Sequence, residues 1–488
     1  MFLGIDIGTS SSKATVADEL GTLVATATRP HTTASPRPGW FEHDAEETWW
    51  RDLVALTREV LATVPASAIR AVCVSGIGPC ALVADEQGWP LRAAILYGID
   101  SRAEREIEEL TDALGAETVI RRTGNRLTTQ AVGPKLLWIA RHEPGVWARA
   151  RRWYCASNWL VGRLTGEYVI DHYSGSTSDP LYDLGARDWW PDAWDACAAT
   201  LDRPRLAWPG DIVGEVHTAA AETTGLRAGT PVLAGTIDAM AEAYSAGCRD
   251  VGDTMVMYGS TLFFIQTVAQ PVAHDGLWAG SGRAPGTYSV AAGMSSAGLL
   301  IDWFAGLAHE EVDALALEAA AVPAGSDGLV VLPYFAGERT PIFDPRARGC
   351  CIGLTLRHGP AHLFRSALEG VAMGIRHNFE AMGEAGATPA RLVAVGGGTR
   401  GGLWTRITSD VTGLPQDLPT ETIGAAYGDA RMAADAMGID TSGWNPVADR
   451  VEPDPAHAPL YDQLYGVYRR SYVALRDDLH LLSQLSGG

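Results

Sequence analysis

The chain has 488 residues, of which 47% are hydrophobic and 20% are charged, as is typical of a globular protein with two or three domains. Its 38 basic and 58 acidic residues give a formal net charge of −20. This balance excludes the basic footprint of a nucleic-acid-binding protein, and it disfavours binding to an anionic membrane surface. Lysine is rare, since Lys13 and Lys135 are the only two.

The cysteines and the apolar stretches bear on the cellular compartment. The seven cysteines show no C-x-x-C spacing, so we expect reduced thiols and no zinc site. The N-terminus reads as a strand rather than a signal peptide. The most apolar stretch, residues 291–305, is rich in small residues and contains Asp302, so it is not expected to span a membrane. These features predict a cytoplasmic protein.

The first hundred residues alternate short apolar runs with turns, which predicts strands joined by hairpins. Three consecutive strands are expected to pair antiparallel, over residues 2–7, 14–16 and 22–27. Asp44 and the acidic residues after it form a capping box that opens a helix to about residue 63. A buried strand follows over residues 69–75. This order differs from a Rossmann unit, whose strands are all parallel.

A second set of elements begins near residue 246. Residues 253–258 and 262–268 predict strands around the turn Gly259-Ser260-Thr261, which repeats the small-residue turn of the first hairpin. Further along, we expect helices over 310–320, 362–382, 403–412 and 425–437 and a strand over 392–395. The two similar beginnings indicate duplication. We place a hinge near residues 243–252, which gives an N-terminal domain over 1–245 and a C-terminal domain over 246–488.

The first hairpin turn carries side chains suited to a phosphate group. A strand delivers Asp6 to a turn in which Gly8 lets backbone N–H groups face an anion. Thr9 and Ser10 add hydroxyl donors, and Lys13 adds a point charge. Asp6 suits a Mg²⁺ ion, which usually keeps several of its waters. The alternative is an ordinary polar hairpin turn.

Asp238 stands between an apolar strand over residues 231–234 and an Ala-rich helix. An Asp in this position is often a helix N-cap. The functional alternative is a general base for a substrate hydroxyl, held at a cleft by the rigid helix. The residues around Asp238 leave both interpretations open.

The glycine-rich segment from Gly396 to Gly402 contains a G-x-G-x-x-G pattern between a strand and a helix. With Glu421 twenty residues further on, it fits the fingerprint of an NAD-dependent oxidoreductase. In that fold the acid ends a second parallel strand, and residues 414–419 do not read as one. A glycine turn against a flat adenine fits the segment equally well.

Taken together in this order, these motifs resemble the FGGY family of carbohydrate kinases, in its xylulokinase-like branch. The resemblance runs from Asp6-x-Gly8-Thr9-Ser10 to residues 424–430, and it includes Gly-Glu-Arg-Thr-Pro at 337–341. It implies an α/β fold of two ribonuclease-H-like domains, as in actin, Hsp70 and sugar kinases, with the active site in the cleft between them. The implied cofactors are ATP and Mg²⁺.

The resemblance also assigns roles by motif match. Asp238 is implied as the catalytic base that removes a proton from the sugar hydroxyl, and both Asp6 and Asp238 are implied near the metal. The nucleotide-binding residues are Asp6, Gly8, Thr9, Ser10 and Lys13 in the phosphate loop, Gly259, Ser260 and Thr261 in the second turn, and Gly397, Gly398 and Thr399 by the adenine.

The match fails at the sugar pocket. Xylulokinases carry Ser-Gly-Gln-Met-His where this chain has Ser-Gly-Ile-Gly-Pro at residues 75–79, so an amide and an imidazole are missing. A site that loses such hydrogen-bonding groups is expected to change its substrate. Candidate sugar contacts are Tyr97, Asp100, Arg102 and Glu42, each with a structural role as the alternative. Arg102 favours a carboxylate ligand unless it pairs with a nearby acid such as Asp100.

The sequence therefore predicts ATP-dependent phosphorylation of a sugar hydroxyl, with a ketose or pentulose as the first choice. A polyol or a sugar acid is the alternative within the same family. Two rivals lie outside it: an NAD-dependent oxidoreductase, and a non-catalytic ATPase of the actin or Hsp70 type. The expected partner is a small-molecule sugar or polyol, without nucleic acid or membrane. A homodimer rests on the resemblance alone.

Overall fold

The computed structural model describes residues 1–485, which form two lobes that each contain a seven-stranded sheet. Alternating short apolar runs and turns in the first part of the chain produce many short strands. The first-lobe strands are β1 Phe2–Ile7, β2 Ser11–Ala17, β3 Leu23–Pro30, β4 Glu42–His43, β5 Ala71–Gly76, β6 Leu82–Ala84, β7 Ala94–Ile95, β8 Arg152–Tyr154, β9 Val169–Asp171, β10 Tyr182–Asp183, β11 Asp188–Trp189, β12 Arg205–Ala207, β13 Ile212–Glu215, β14 Pro231–Leu233 and β15 Thr236–Ile237.

Helices cover the faces of this first sheet. Asp44 caps a π-helical segment, Ala45–Trp50, that leads directly into the first α-helix, because its carboxylate accepts from the N–H groups of Glu46 and Glu47 at 2.9 Å each. The helices are α1 Arg51–Leu61, α2 Glu104–Leu114, α3 Ala116–Thr123, α4 Val132–His142, α5 Pro144–Trp147, α6 Ala156–Thr165, α7 His172–Ser176, α8 Pro191–Cys197, α9 Thr218–Thr224 and α10 Asp238–Ser245.

The second lobe has fewer strands and longer helices. Its strands are β16 Asp253–Tyr258, β17 Leu262–Val268, β18 Trp278–Ser281, β19 Tyr288–Met294, β20 Val330–Leu332, β21 Cys350–Ile352, β22 Arg391–Val395, β23 Gln416–Pro419 and β24 Val447–Val451. Its helices are α11 Gly298–Ala308, α12 Val312–Ala321, α13 Pro360–Glu384, α14 Leu403–Thr412, α15 Ala425–Ala436 and α16 Ala458–Leu485.

The two sheets repeat one topology, as the predicted duplication requires. In the first, β1 pairs antiparallel with β2 and parallel with β5, and the path continues through β14 to the antiparallel edge strand β13. In the second, β16 pairs antiparallel with β17 and parallel with β22, and the path continues through β23 to the antiparallel edge strand β24. Both hairpin turns therefore lie at the same end of equivalent strands.

Helices α10 and α15 pack against each other between the lobes. Helix α15 also packs on β1 and β5 of the first sheet, although it comes from the last part of the chain. The approach is close because β1 has Gly4 at the contact, where a Cβ atom would lie 1.9 Å from the carbonyl oxygen of Ala426. The interlobe contact is thus a packed layer, beside which the cleft opens.

Most of the predicted elements are confirmed, and β16, β17 and α14 have the bounds expected from the sequence. One prediction is wrong. We expected no second parallel strand after the glycine-rich segment, yet β23 pairs parallel with β22. Proline discourages strand assignment, and Pro415 and Pro419 mark the two ends of this strand. The strand pattern therefore does not argue against dinucleotide binding.

All seven cysteines are free thiols, and five of them are buried. Burial raises the pKa of Cys73 and Cys80 well above the usual value, so these thiols stay protonated. Among residues 1–485, no helix combines the length and the apolar character needed to cross a membrane.

Candidate active site

A cavity of about 360 Å³ lies between the lobes and is lined by residues of both. The first hairpin turn contributes Thr9, the second contributes Thr261, and α10 contributes Asp238. The rest of the wall mixes aromatic, amide, hydroxyl and charged side chains, among them Tyr97, Asn125, Gln130, Tyr173, Thr177, Asp179, Glu242, Trp278, Ser289 and Arg339. A cavity of this size and polarity suits a small-molecule ligand.

The first hairpin turn places a carboxylate and an ammonium group on neighbouring strands. Asp6 on β1 and Lys13 on β2 are register partners. The N–H of Gly8 donates to the carbonyl oxygen of Ser11 at 3.0 Å, which closes the turn, and Ser10 is exposed at its tip. The structure brings Asp6, Gly8, Thr9, Ser10 and Lys13 together, and their role in phosphate binding stays a prediction.

His31 and Asp52 support this turn from the interior of the first lobe, and no sequence motif marks either residue. His31 Nε2 lies 3.1 Å from the carbonyl oxygen of Gly8, and its Nδ1 lies 2.9 Å from Asp52 Oδ2. The hydroxyl of Ser12 donates to the same Asp52 oxygen at 2.9 Å. Both side chains are 2% exposed, so the turn is anchored to the interior of the first lobe.

The second hairpin turn closes in the same way, through the N–H of Gly259 and the carbonyl oxygen of Thr261 at 3.1 Å. The start of α11 packs on this turn, because the N–H of Gly298 donates to the carbonyl oxygen of Gly259 at 3.0 Å. Ser260 accepts from the N–H of Leu299 at 3.1 Å through its carbonyl oxygen. Thr261 lines the cavity, whereas Gly259 and Ser260 lie beside it.

Asp238 is the first residue of α10 and lines the cavity. The N-cap position belongs to Ile237, and the Asp238 carboxylate accepts from the N–H of Ala239 at 2.7 Å. Burial raises the pKa of Asp238 well above its usual value, and the nearby Asp6 carboxylate raises it further. A carboxylate with a raised pKa at the wall of a cleft has the properties of a general base.

Three other acids, Asp6, Glu242 and Asp429, lie in this part of the molecule together with Ser75. Burial raises the pKa of Asp6 to about 6 and that of Glu242 to about 7. From α15, Asp429 accepts from the hydroxyl of Ser75 at 2.6 Å and from its N–H at 3.1 Å. The Ser75 hydroxyl also lies 3.4 Å from Asp6 Oδ1. The acidic wall of the cleft is thus tied to the interlobe layer.

The acidic wall fits Mg²⁺ only as a partly solvated ion. The described residues contain no group of three or more His, Cys, Asp or Glu side chains arranged to hold a metal. Asp6 and Asp238 are two carboxylates close enough for the charge of one to raise the pKa of the other. Mg²⁺ is usually held by one or two carboxylates together with water and nucleotide phosphates, so this pair suits it.

Tyr97 lines the cavity, with its hydroxyl 3.4 Å from Thr9 Oγ1. The other predicted sugar contacts, Asp100, Arg102 and Glu42, do not line it. Arg102 instead lies 2.7 Å from Asp100 and 2.6 Å from Glu42, and the Arg102 and Asp100 side chains are fully buried. The geometry does not support sugar contact by these three, because their charges are satisfied inside the first lobe.

The predicted adenine turn lies outside this cavity. Residues 397–399 form one turn of 3₁₀ helix directly after β22. A Cβ atom on Gly398 would lie 2.9 Å from Cβ of Tyr258, so this close packing requires glycine. Since Tyr258 precedes Gly259, the structure places Gly397, Gly398 and Thr399 next to the second hairpin turn. Their contact with adenine stays a prediction.

Several cavity residues were not found from the sequence. Asn125, Gln130, Asp179 and Trp278 lie in segments far apart in the chain, and none belongs to a local motif with a known chemical role. The one sequence signal for this part of the cavity was residues 77–79, where the chain lacks the Gln-Met-His of xylulokinases. Gly78 and Pro79, which stand at that departure, do line the cavity.

Comparison with known proteins agrees with this geometry. Residues 1–244 match the N-terminal domain of the FGGY family of carbohydrate kinases, and residues 254–437 match its C-terminal domain. The chain is 30% identical over 485 residues to xylulose kinase of Escherichia coli strain K12, covering 97% of this chain and 99% of the relative. It is 31% identical over 459 residues to glycerol kinase of Alkalilimnicola ehrlichii, covering 90% of each.

A solved structure extends the comparison to the whole fold. The crystal structure of xylulose kinase from Rhodospirillum rubrum superposes with a TM-score of 0.92 at 34% identity, covering 98% of this chain and 99% of that one. Both lobes are therefore shared with a known sugar kinase. From the family match over both halves and these full-length relatives, the chain belongs to the FGGY family of carbohydrate kinases, enzymes that phosphorylate a sugar with ATP.

Proposed function

We propose that the chain phosphorylates one hydroxyl of an uncharged ketose or polyol, with Asp238 as the general base. The observation that carries the proposal is the position of Asp238, which lines one cavity together with Thr9 and Thr261 from the two hairpin turns. A hydroxyl held in this cavity would lie between the base and the groups suited to bind the phosphates of ATP.

The charges of the cavity favour an uncharged sugar over a sugar acid. Three acids, Asp238, Glu242 and Asp179, line it against one basic side chain, Arg339. The Arg339 guanidinium already donates to the carbonyl oxygens of Leu262 and Met294, at 3.2 and 2.7 Å. A carboxylate on the ligand would face the charged base Asp238, and the acids that line the cavity outnumber its basic side chain. We therefore place a sugar acid, which Arg102 favoured, behind an uncharged ketose or polyol.

The chemistry follows from these positions. Asp238 in its charged form takes the proton of the attacking sugar hydroxyl as the new bond to the γ-phosphorus of ATP forms. The bond from that phosphorus to the bridging oxygen of ADP breaks in the same step, and ADP leaves. Lys13 and the N–H groups of both turns hold the phosphates, and Gly397, Gly398 and Thr399 lie by the adenine. Mg²⁺ held near Asp6 and Asp238 would neutralise phosphate charge. The packed interlobe layer keeps these groups in register.

The identity of the sugar is the finer part of the proposal. Xylulose is the first candidate, because relatives that match the chain over nearly its full length are named xylulose kinases. Ile77 and Pro79 offer the ligand no side-chain donor at the positions where xylulokinases carry an amide and an imidazole. Tyr97, Asn125 and Gln130 provide other polar groups in the same cavity. A ketose or polyol that differs from xylulose at one hydroxyl is therefore a second candidate.

A sugar panel tests the proposal. ADP release is measured with ATP, Mg²⁺ and each of xylulose, ribulose, ribitol, glycerol and gluconate. We expect stimulation by at least one uncharged compound and little by gluconate, because gluconate carries a carboxylate. No stimulation by any ketose or polyol would remove the proposal. Stimulation by gluconate above every uncharged compound would overturn the assignment of substrate class.

Three further predictions belong with this proposal. The domain boundary between residues 245 and 246 is tested by limited proteolysis of the whole chain, where first cleavage far from these residues would contradict it. A cytoplasmic location is tested by fractionating the source cells. The homodimer is tested by light scattering of the purified chain, where a monomer would contradict it.

A further inference from the structure

Asp179 is a buried carboxyl group in the cavity that the proposed reaction does not use. It follows α7, lines the cavity and is 6% exposed. Within residues 1–485, no basic side chain lies within 4 Å of its carboxyl group, and its Oδ1 accepts from Nδ2 of Asn125 at 3.4 Å. Burial raises the pKa of Asp179 to about 8, whereas the hydrogen bonds of Asn125 and Thr123 lower it. At neutral pH this group is therefore mostly an uncharged acid.

The protein holds this carboxyl group in place from two sides. Asn125 exchanges two hydrogen bonds with the backbone of Ala279 in β18: its Nδ2 donates to the carbonyl oxygen at 2.9 Å, and its Oδ1 accepts from the N–H at 2.7 Å. The carbonyl oxygen of Asp179 accepts from the N–H of Gly133 at 2.8 Å, in the first turn of α4. The carboxyl group is thus fixed between a first-lobe helix and a second-lobe strand.

We propose that Asp179 is a sugar-binding residue that determines specificity, with its carboxyl group in the acid form donating a hydrogen bond to an oxygen atom of the bound sugar. The inference rests on the proposed function and deepens it. A buried acid without a cation has an O–H donor, and the sugar supplies the hydroxyl or carbonyl oxygen that accepts from it. Such a donor replaces part of the hydrogen bonding lost at Ile77 and Pro79.

Two carboxyl groups of one cavity then serve in opposite protonation states. Asp238 must be charged to accept a proton, and Asp179 must be uncharged to donate a hydrogen bond. The other titratable groups that line the cavity are Glu242, Tyr97, Tyr173 and Arg339. Asn125 and Thr123 face the Asp179 carboxyl group without charge, and no charged side chain influences its pKa.

The test compares Asp179→Ala, Asp179→Asn and the control Asp112→Asn, which removes an exposed carboxylate of the same lobe. The sugar is the best substrate of the panel, with xylulose as the starting probe. Sugar binding is also followed without ATP, by the change in tryptophan fluorescence that a ligand beside Trp278 would cause. We expect Asp179→Ala to raise the sugar KM and the fluorescence Kd about tenfold to a hundredfold. The KM for ATP should stay within about twofold.

The pH dependence separates a sugar contact from a structural role. In the unsubstituted enzyme, sugar binding should weaken as the pH rises through about 8, because Asp179 loses its proton there. Asp179→Asn keeps an N–H donor and cannot ionise, so its sugar Kd should stay within about tenfold and lose this weakening. Asp112→Asn should behave like the unsubstituted enzyme.

The outcomes are distinct. An unchanged sugar KM in Asp179→Ala, or the same loss of binding above pH 8 in Asp179→Asn, overturns the inference and leaves the proposed function intact. If Asp179→Ala does not fold by circular dichroism, the pH profile of Asp179→Asn decides alone. If the unsubstituted enzyme neither phosphorylates nor binds any sugar of the panel, the proposed function fails and takes the inference with it.

Discussion

Asp100 and Asp179 are both buried carboxyl groups of the first lobe, and their surroundings differ in one respect. Asp100 lies 2.7 Å from the Arg102 guanidinium and accepts from the N–H of Phe41 at 2.6 Å. Asp179 has no basic side chain within 4 Å in the described part of the chain. Asp100 lies outside the cavity, and Asp179 lines it. Burial alone therefore does not mark a ligand site, because Asp100 is as deeply buried as Asp179 and its charge is satisfied within the first lobe.

Asp6 and Asp238 extend the comparison. They lie at the same cleft, and Lys13 is the cation that lowers the pKa of Asp6 against the effect of burial. Their pKa values are raised because the protein buries both carboxylates without enough positive charge to balance them. A proton, a metal ion or bound phosphates with their cation can then occupy the site. In the ion network around Arg102, the chain supplies every partner itself.

The largest effect expected is on catalysis by Asp238. Asp238→Asn keeps the shape of the side chain and removes its basicity, so kcat should fall by about 10²- to 10⁴-fold. Sugar and ATP binding should change far less. Steady-state kinetics with the best sugar checks this, beside Asp112→Asn as a charge-matched control. A variant that keeps more than a tenth of the activity would contradict the role.

The ion pairs of Arg102 with Asp100 and Glu42 should instead affect the free energy of unfolding. Arg102→Met leaves Asp100 and Glu42 without their shared cation, and breaking a buried ion pair in this way costs about 3–5 kcal/mol. The free energy of unfolding by urea measures the loss. Arg105→Met is the control, because it breaks an exposed pair with Glu109, and exposed ion pairs contribute little to stability. A changed sugar KM with unchanged stability would place Arg102 at the substrate after all.

Lys13 tests the phosphate side of the cleft. Lys13→Met removes the ammonium group paired in register with Asp6, and a charged hydrogen bond contributes about 1.5–3 kcal/mol. The KM for ATP should therefore rise about tenfold to a hundredfold, while the sugar Kd without ATP stays unchanged. Equal effects on both ligands would show that the variant disturbs the whole cleft.

The acid side of the pH profile should report the charged form of the base. Burial raises the pKa of Asp6 to about 6, and burial together with Asp6 raises the pKa of Asp238 above its usual value. Because both groups must lose their protons to act, kcat/KM should rise with pH through about 6 and fall at least about tenfold per pH unit below it, and up to about a hundredfold where both groups take up protons. A profile that stays flat from pH 5 to 7 would contradict these assignments.

The smallest effect is expected at Asp429. Burial raises the pKa of this residue well above its usual value, which favours the uncharged form of its carboxyl group. Asp429→Asn keeps an oxygen that can accept from the hydroxyl and the N–H of Ser75. The free energy of unfolding should therefore change by about 1 kcal/mol or less. A larger loss would mean that Asp429 is charged in the folded protein.

Much of the fold could be predicted because short stretches of sequence determine many of its strands, turns and helices. Period-two apolar runs and glycine turns gave the hairpins β1–β2 and β16–β17, and capping residues gave the helices. The strand β23 was missed because it is short and flanked by Pro415 and Pro419, and pairing with β22 overrides its weak propensity. Helix α15 lies against β1, a contact across more than four hundred residues that no local pattern contains.

The candidate site likewise contains residues of contiguous motifs, which could be predicted, and residues that only folding brings together, which could not. The turn from Asp6 to Lys13 and the strand–helix junction at Asp238 are contiguous motifs, so the sequence placed them in the cleft. Asn125 and Asp179 meet only through the packing of α3, α4 and β18, which follows from the folded chain. Arg102 was a candidate sugar contact because a guanidinium group suits a carboxylate ligand, and packing paired it with Asp100 instead.

The central claim is that the γ-phosphoryl group of ATP moves to a hydroxyl of an uncharged sugar through Asp238. Phosphorus NMR of a reaction with ATP, Mg²⁺ and the best ketose or polyol follows this transfer directly. A sugar phosphate monoester should grow in step with ADP, and Asp238→Asn should abolish it. Release of inorganic phosphate without a sugar phosphate, or equal product from Asp238→Asn, would contradict the account.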